Sequence, residues 1–125
     1  MNYSNLINEI IASYARHGWQ LRRVLLRPET HPQVAADIES GALSLDPALL
    51  REGSVDALWF SRASHEGREA WELRQVSENP FALFETFEAD EAEEDREDVR
   101  REMEARLRER SPTSNVESPK SNNDS

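Results

Sequence analysis

Two turn signals, Ser64 to Gly67 (SHEG) and Ser77 to Pro80 (SENP), divide the stretch from Val55 to Glu88 into three short runs. That stretch holds two of the chain's three tryptophans and all four of its phenylalanines. Aromatic and aliphatic residues in short runs bounded by Gly, Pro, Asn and Ser form the pattern of a β-meander. The sequence therefore predicts three antiparallel strands over 55–88, and the rest of the chain must cover them.

A four-residue first loop sets a register. With Ala63 opposite Arg68, Arg62 meets Glu69, Phe60 meets Trp71 and Leu58 meets Leu73, giving an apolar core face. The reverse face then carries Ser61 opposite Ala70, Trp59 opposite Glu72, Ala57 opposite Arg74 and Val55 opposite Val76. A slip of one residue would exchange the faces of one strand relative to the other. In the third strand Phe81, Leu83 and Phe87 are expected to point to the core, leaving Phe84 on the reverse face with Trp59 and Val76. That face is more apolar than an ordinary wet surface, which marks either a covering element or a partner.

Upstream, Ser4 or Asn5 is placed to cap a helix with Leu6, Ile7, Ile10, Ile11 and Tyr14 on one face, ending at Gly18. A strand is expected over 19–27, between Gly18 and Pro28, although its alternation is imperfect: Trp19, Leu21 and Leu25 share a face with Arg23, and Val24 and Leu26 with Gln20 and Arg22. From Thr30 to Gly53 the pattern is helical and broken. Pro32 opens a short helix carrying Val34, Ala35 and Ile38, and Asp46 caps a second one that opens at Pro47 and closes at Gly53. This is a helical crossover over one side of the sheet.

After Glu88 the chain becomes almost wholly charged and free of Gly and Pro as far as Arg110, which predicts a long helix from about 89. Acids lead and arginines follow, in the sense the helix dipole favours. Glu97 with Arg101, Glu102 with Arg106 and Glu104 with Arg108 are spaced as i,i+4 pairs, each worth roughly 0.2–0.5 kcal/mol. Its apolar stripe, Val99, Met103 and Leu107 beyond Ala92, is narrow, so the helix could lie along the sheet edge, pair with a copy of itself or project. Residues 111–125 are polar and read as a disordered tail after one α+β domain over 1–110.

The fold expected is thus α+β: an N-terminal helix, an antiparallel sheet of about four strands, a helical crossover and a charged C-terminal helix. The element order has a general likeness to double-stranded-RNA-binding domains and to acidic secretion chaperones, with no motif behind either likeness. The first would imply basic contacts near the second helix of that fold, where this chain places a run of acids.

A formal charge of −10 weighs against nucleic acid and anionic membranes as partners, since both recruit cationic surfaces. The chain has no cysteine for a disulfide, a thiolate metal site or a nucleophile, and its first residues have neither a basic leader nor a long apolar run, so a cytoplasmic location is expected. No phosphate loop, HExxH or GxSxG motif occurs, and the acids of 88–98 lack the alternation and central glycine of a calcium loop. Neither cofactor, metal nor catalysis is expected.

The functional expectation is a non-catalytic interaction, adaptor or chaperone-like module for a protein partner, which could be a second copy. Its candidate contacts are Trp59, Glu72, Arg74, Val76 and Phe84 on the reverse sheet face, or Val99, Met103 and Leu107 on the helix. The alternative is a small-ligand or anion-binding domain using Arg22, Arg23 and Arg74.

Overall fold

The computed structural model describes residues 3–110; the expected disordered tail, 111–125, lies outside the described residues. In chain order the elements are α1 (Tyr3–Arg16), β1 (Gln20–Leu26), α2 (His31–Ser40), β2 (Leu50–Glu52), β3 (Ala57–Ala63), β4 (Glu69–Gln75), β5 (Ala82–Phe87) and α3 (Glu93–Arg110). The strands form one sheet in the order β2-β1-β3-β4-β5, with β1 and β2 parallel and all other neighbours antiparallel. The fold is α+β, as the residue pattern requires, with a mixed sheet of five strands where about four antiparallel ones were expected. None of the helices among the described residues is long and apolar enough to cross a membrane.

The additional strand comes from the crossover. Asp46 caps a 3-10 turn, its carboxylate accepting the Ala48 N–H at 2.9 Å, but that turn ends at Leu49. Leu50 to Glu52 then extend to pair with Val24 to Leu26. Parallel neighbours require a long connection, and α2 supplies it, burying Val34 and leading into Leu43 beneath the sheet.

β1 contains a bulge. Leu21 lies opposite Phe60 and Arg23 opposite Trp59, so Arg22 is the extra residue. The insertion accounts for the broken alternation. Before it, Leu21 faces the α1 side; beyond it, Val24 and Leu26 face that side, while Arg23 and Leu25 face α3.

The meander is present, but its first register differs by one residue from the expectation. Trp59 lies opposite Leu73, Phe60 opposite Glu72, Leu58 opposite Arg74 and Ser61 opposite Trp71. The cause is the loop. It runs from Ser64 to Arg68, closed by Ser64 N–H to the Arg68 carbonyl at 2.8 Å, with Glu66 and Gly67 both left-handed at φ 58° and 78°. One more loop residue than the four assumed turns β4 over relative to β3. Phe60 and Trp71 therefore lie on opposite faces.

Both faces are cores. Under α1 and α2 lie Ile7, Ile10, Val24, Leu26, Leu58, Phe60 and Val76. Under α3 lie Leu25, Trp59, Trp71, Leu73, Phe87, Met103 and Leu107, with Phe81 and Leu83 packed against them. The expected inward set of β5 is thus found, directed at the α3 core. Burying Met103 and Leu107 completely contributes about 1.5–3 kcal/mol each, more than the helix's own surface pairs could. Accordingly α3 lies across the sheet face. Glu97 reaches Arg23 at 2.9 Å, and Glu104 accepts the Trp59 indole N–H at 2.7 Å, so both carboxylates tie the helix to the sheet.

Asp56 joins the first half of the fold. Its carboxylate, 4% exposed, accepts from the Tyr3 hydroxyl (2.7 Å), the Arg27 backbone N–H (2.8 Å) and the Thr30 hydroxyl (2.6 Å), and pairs with the Arg27 guanidinium. Burial disfavours the Arg27 charge, yet the hydrogen bond and charge of Asp56 hold its pKa above the ordinary value.

Candidate functional site

The sequence candidates are dispersed. Trp59, Val76, Met103 and Leu107 are interior residues, at most 5% exposed. Trp59 and the two α3 residues belong to the core that α3 closes, Val76 to the opposite one. In this conformation they cannot form a partner-facing patch, because the register shift and the docked helix cover them. Val99 is half-buried at the margin of the α3 core.

Glu72, Arg74 and Phe84 do share the α1 face of the sheet, with Phe84 opposite Glu72. The Tyr14 hydroxyl donates to the Glu72 carboxylate, and the Tyr14 ring stacks on Phe60 at 4.0 Å between centroids. Burial, followed by the Glu72 hydrogen bond and charge, raises the Tyr14 pKa well beyond the usual phenol range. Arg74 donates to the Gln75 carbonyl beside a shallow cleft against α1. Phe84 alone remains open, 58% exposed, with Trp19 edge-on at 6.4 Å.

Phe84 sits at the middle of an outer strand. The Phe81 carbonyl accepts the Gln75 N–H at 3.0 Å, and the register pairs Leu73 with Leu83 and Trp71 with Glu85. By antiparallel alternation, Phe81, Leu83, Glu85 and Phe87 direct their backbone groups at β4, and Ala82, Phe84 and Thr86 direct theirs outward.

The expected arginine trio does not assemble. Arg22 and Arg23 lie on the α3 side of the sheet, while Arg74 lies on the α1 side. A different arginine group forms instead. Arg22 and Arg23 join Arg51 from β2 and Arg96 and Arg100 from α3 around a cleft of about 400 Å³ whose wall includes Trp71.

Arg100 lies at the centre of this group. It is 2% exposed, its guanidinium carbon stands 3.9 Å from the Trp71 ring centroid, and its Nη1 donates to Glu93 (2.7 Å) and Glu97 (2.8 Å). Its Nε is buried with no hydrogen-bond partner. Arg23 grips Glu97 with both terminal nitrogens, at 3.2 and 2.9 Å, and Arg96 bonds Glu69 at 3.0 Å. The Arg100 hydrogen bond holds Glu93 below the usual carboxylate range; for Glu97 the Arg23 bond does so first, against an opposing burial effect, with Arg100 adding to it.

Two charges differ from the rest. Among the described residues Arg22 and Arg51 have no carboxylate partner: the Arg51 Nη1 donates to the Ala48 and Leu50 carbonyls, and Arg22 stands over Trp71 at 5.7 Å. The bulge brings this about, since it sets Arg22 on the same side as Arg23.

Arg51, Arg96 and Arg100 were missed from sequence, although α3 held a clue. Positions 96, 100, 103 and 107 follow the 4-3-4 spacing of one helix stripe, so the two arginines continue the line of Met103 and Leu107. No group of three or more His, Asp or Glu side chains among the described residues is placed to hold a metal ion. No protein-family model, no curated protein and no solved structure matches the chain.

Proposed function

We propose that this chain is a non-catalytic protein-interaction module that pairs with a second copy of itself by adding strand β5 to strand β5. The observation that carries the reading is Phe84, a large apolar side chain 58% exposed at the centre of an outer strand whose alternate backbone groups face outward. Unpaired strand edges are templates for further pairing. The opposite edge, β2, spans only Leu50–Glu52, which leaves β5 as the longer template.

The strand is self-complementary. A twofold axis at Phe84 sets Phe84 against its copy and Ala82 against Thr86, the three residues whose backbone groups point outward. The same register places Leu83 against Glu85, so like charges do not meet directly. The two Phe84 rings become neighbours on one face, each flanked by its own Trp19, and two five-stranded sheets become one.

Opposing this is the formal charge of −10 on each copy. The pairing should therefore strengthen as salt screens the repulsion, the reverse of an association driven by opposite charges. Sedimentation velocity of the full chain over a concentration series, at low and high salt, tests the reading. A dimer that grows with concentration and salt and is lost in Phe84→Lys is the expected result. A monomer throughout, or a dimer indifferent to Phe84→Lys, overturns it.

A further inference from the structure

We propose that the cleft between β1, β2 and α3 binds a small phosphate monoester as its dianion, held by Arg22, Arg51 and Arg100. The inference is independent of β5 pairing, since these arginines line the opposite side of the sheet from Phe84.

Charge supports it first. Five guanidiniums line the cleft with two carboxylates, Glu69 and Glu93, bonded to Arg96 and Arg100; Glu52, Glu97 and Glu104 lie in an adjoining cleft that Arg23 and Arg51 also line, where Glu97 is bonded to Arg23 and Glu104 to Trp59. Arg22 and Arg51 remain uncompensated, in a chain whose formal charge is −10. Two unmatched cations at one place fit two negative charges on one ligand. The overall negative field repels polyanions such as nucleic acid and anionic lipid surfaces, so the occupant is a small anion that enters a local cationic pocket.

Donor geometry supports it next. Guanidinium forks suit the oxygens of phosphate, and Arg100 is already oriented by its stacking on Trp71. A cation this buried, with a donor left unbonded, is unusual. Its exposed partner, Glu93, is 71% open to solvent and starts α3, so it can swing away without disturbing the core. In the free protein the Glu93 carboxylate occupies an oxyanion's place on Arg100; phosphate displaces it. Glu97, which stays with Arg23, keeps its own bond to the same Arg100 Nη1 and so holds the guanidinium in place.

The test is calorimetric titration of the full chain with inorganic phosphate at constant ionic strength, chloride being exchanged for phosphate, with tryptophan fluorescence as a second readout. Saturable binding is expected, weakened about tenfold or more by Arg22→Ala or Arg51→Ala. Both residues are exposed, so these variants should fold as the parent does. Glu93→Gln should bind phosphate severalfold more tightly, because the internal competitor loses its charge. Arg62→Ala, which removes an exposed cation standing over Trp19 on the other face, should bind as the parent. The proposal is overturned by the absence of saturable binding, by equal weakening in Arg62→Ala and Arg22→Ala, or by a Glu93→Gln variant that binds phosphate no better than the parent.

Discussion

The hydrogen bond from the Trp59 indole to Glu104 offers a measurable test of how α3 is seated. Trp59 is fully buried, and its N–H reaches the Glu104 carboxylate at 2.7 Å across 45 positions of sequence. Glu104→Ala leaves that N–H inside the core without an acceptor, which costs about 1–3 kcal/mol. Alanine also removes the desolvation cost of the half-buried Glu104 carboxylate, so the lower part of that range, about 1–2 kcal/mol, is expected. Trp59→Phe removes the donor and some ring volume, at about 1–2 kcal/mol for the space left. With the donor gone, Glu104→Ala should become nearly silent. The double-mutant cycle should thus give a coupling of about 1–2 kcal/mol, read from urea unfolding followed by circular dichroism so that loss of an indole does not disturb the signal. Coupling within about 0.5 kcal/mol of zero, the usual scatter of independent sites, would refute a helix docked on the Trp59 face.

Alkaline titration and the first meander loop give two further tests. The chain's two tyrosines, Tyr3 and Tyr14, are both held neutral, chiefly by burial and then by hydrogen bonds to Asp56 and Glu72. A raised folded-state pKa means that their contribution to stability is complete below the free-phenol value of about 10 and is lost as pH rises beyond it. Spectrophotometric titration should show phenolate near pH ~10 in the denatured chain, and in the native chain only well above that, together with unfolding; an ordinary native midpoint would contradict both hydrogen bonds. Gly67→Ala should lower the melting temperature, since φ is +78° and the new Cβ would stand 3.0 Å from that of Ala89. The left-handed penalty of about 1–2 kcal/mol corresponds to several degrees in a domain of about this size, and an unchanged melting temperature would show that the loop does not need the conformation described.

The elements themselves were legible because turn chemistry and periodicity agree at their ends. Gly18 and Pro28 bracket β1 and Pro32 opens α2; the length of the SENP loop left the parity of β5 open, and Phe81, Leu83 and Phe87 do share a face, but Phe84 lies on the side away from Trp59 rather than beside it. The register of β3 against β4 was not legible, for a physical reason. Both Trp59 and Phe60 are core residues, on opposite faces, so alternation cannot say which belongs where, and the decision passes to one left-handed residue, Glu66, in the loop. β2 escaped notice because Leu50-Arg51-Glu52 has neither a β-branched nor an aromatic residue; its pairing with β1 is created by the crossover. The candidate site was half visible. Arg22 and Arg23 are an obvious pair, but their companions come from two distant elements, and Arg74 was separated from them by the sheet itself. The helix stripe of Val99, Met103 and Leu107 is an inward anchor, with Arg96 and Arg100 continuing it.

The two cores are also separated in time of synthesis. Every buried residue of the α1 core, from Ile7 to Val76, precedes β5, whereas the α3 core waits for Phe87, Met103 and Leu107. A ribosome that has just released Val76 has thus delivered one finished side of the sheet and one bare side displaying Trp59, Trp71 and Leu73. Until another 31 residues have followed, as far as Leu107, that bare side is the nascent chain's sticky surface. The charged character of α3 then takes on a second meaning: the segment that arrives last to cover an apolar wall is itself too polar to be captured by anything else on the way.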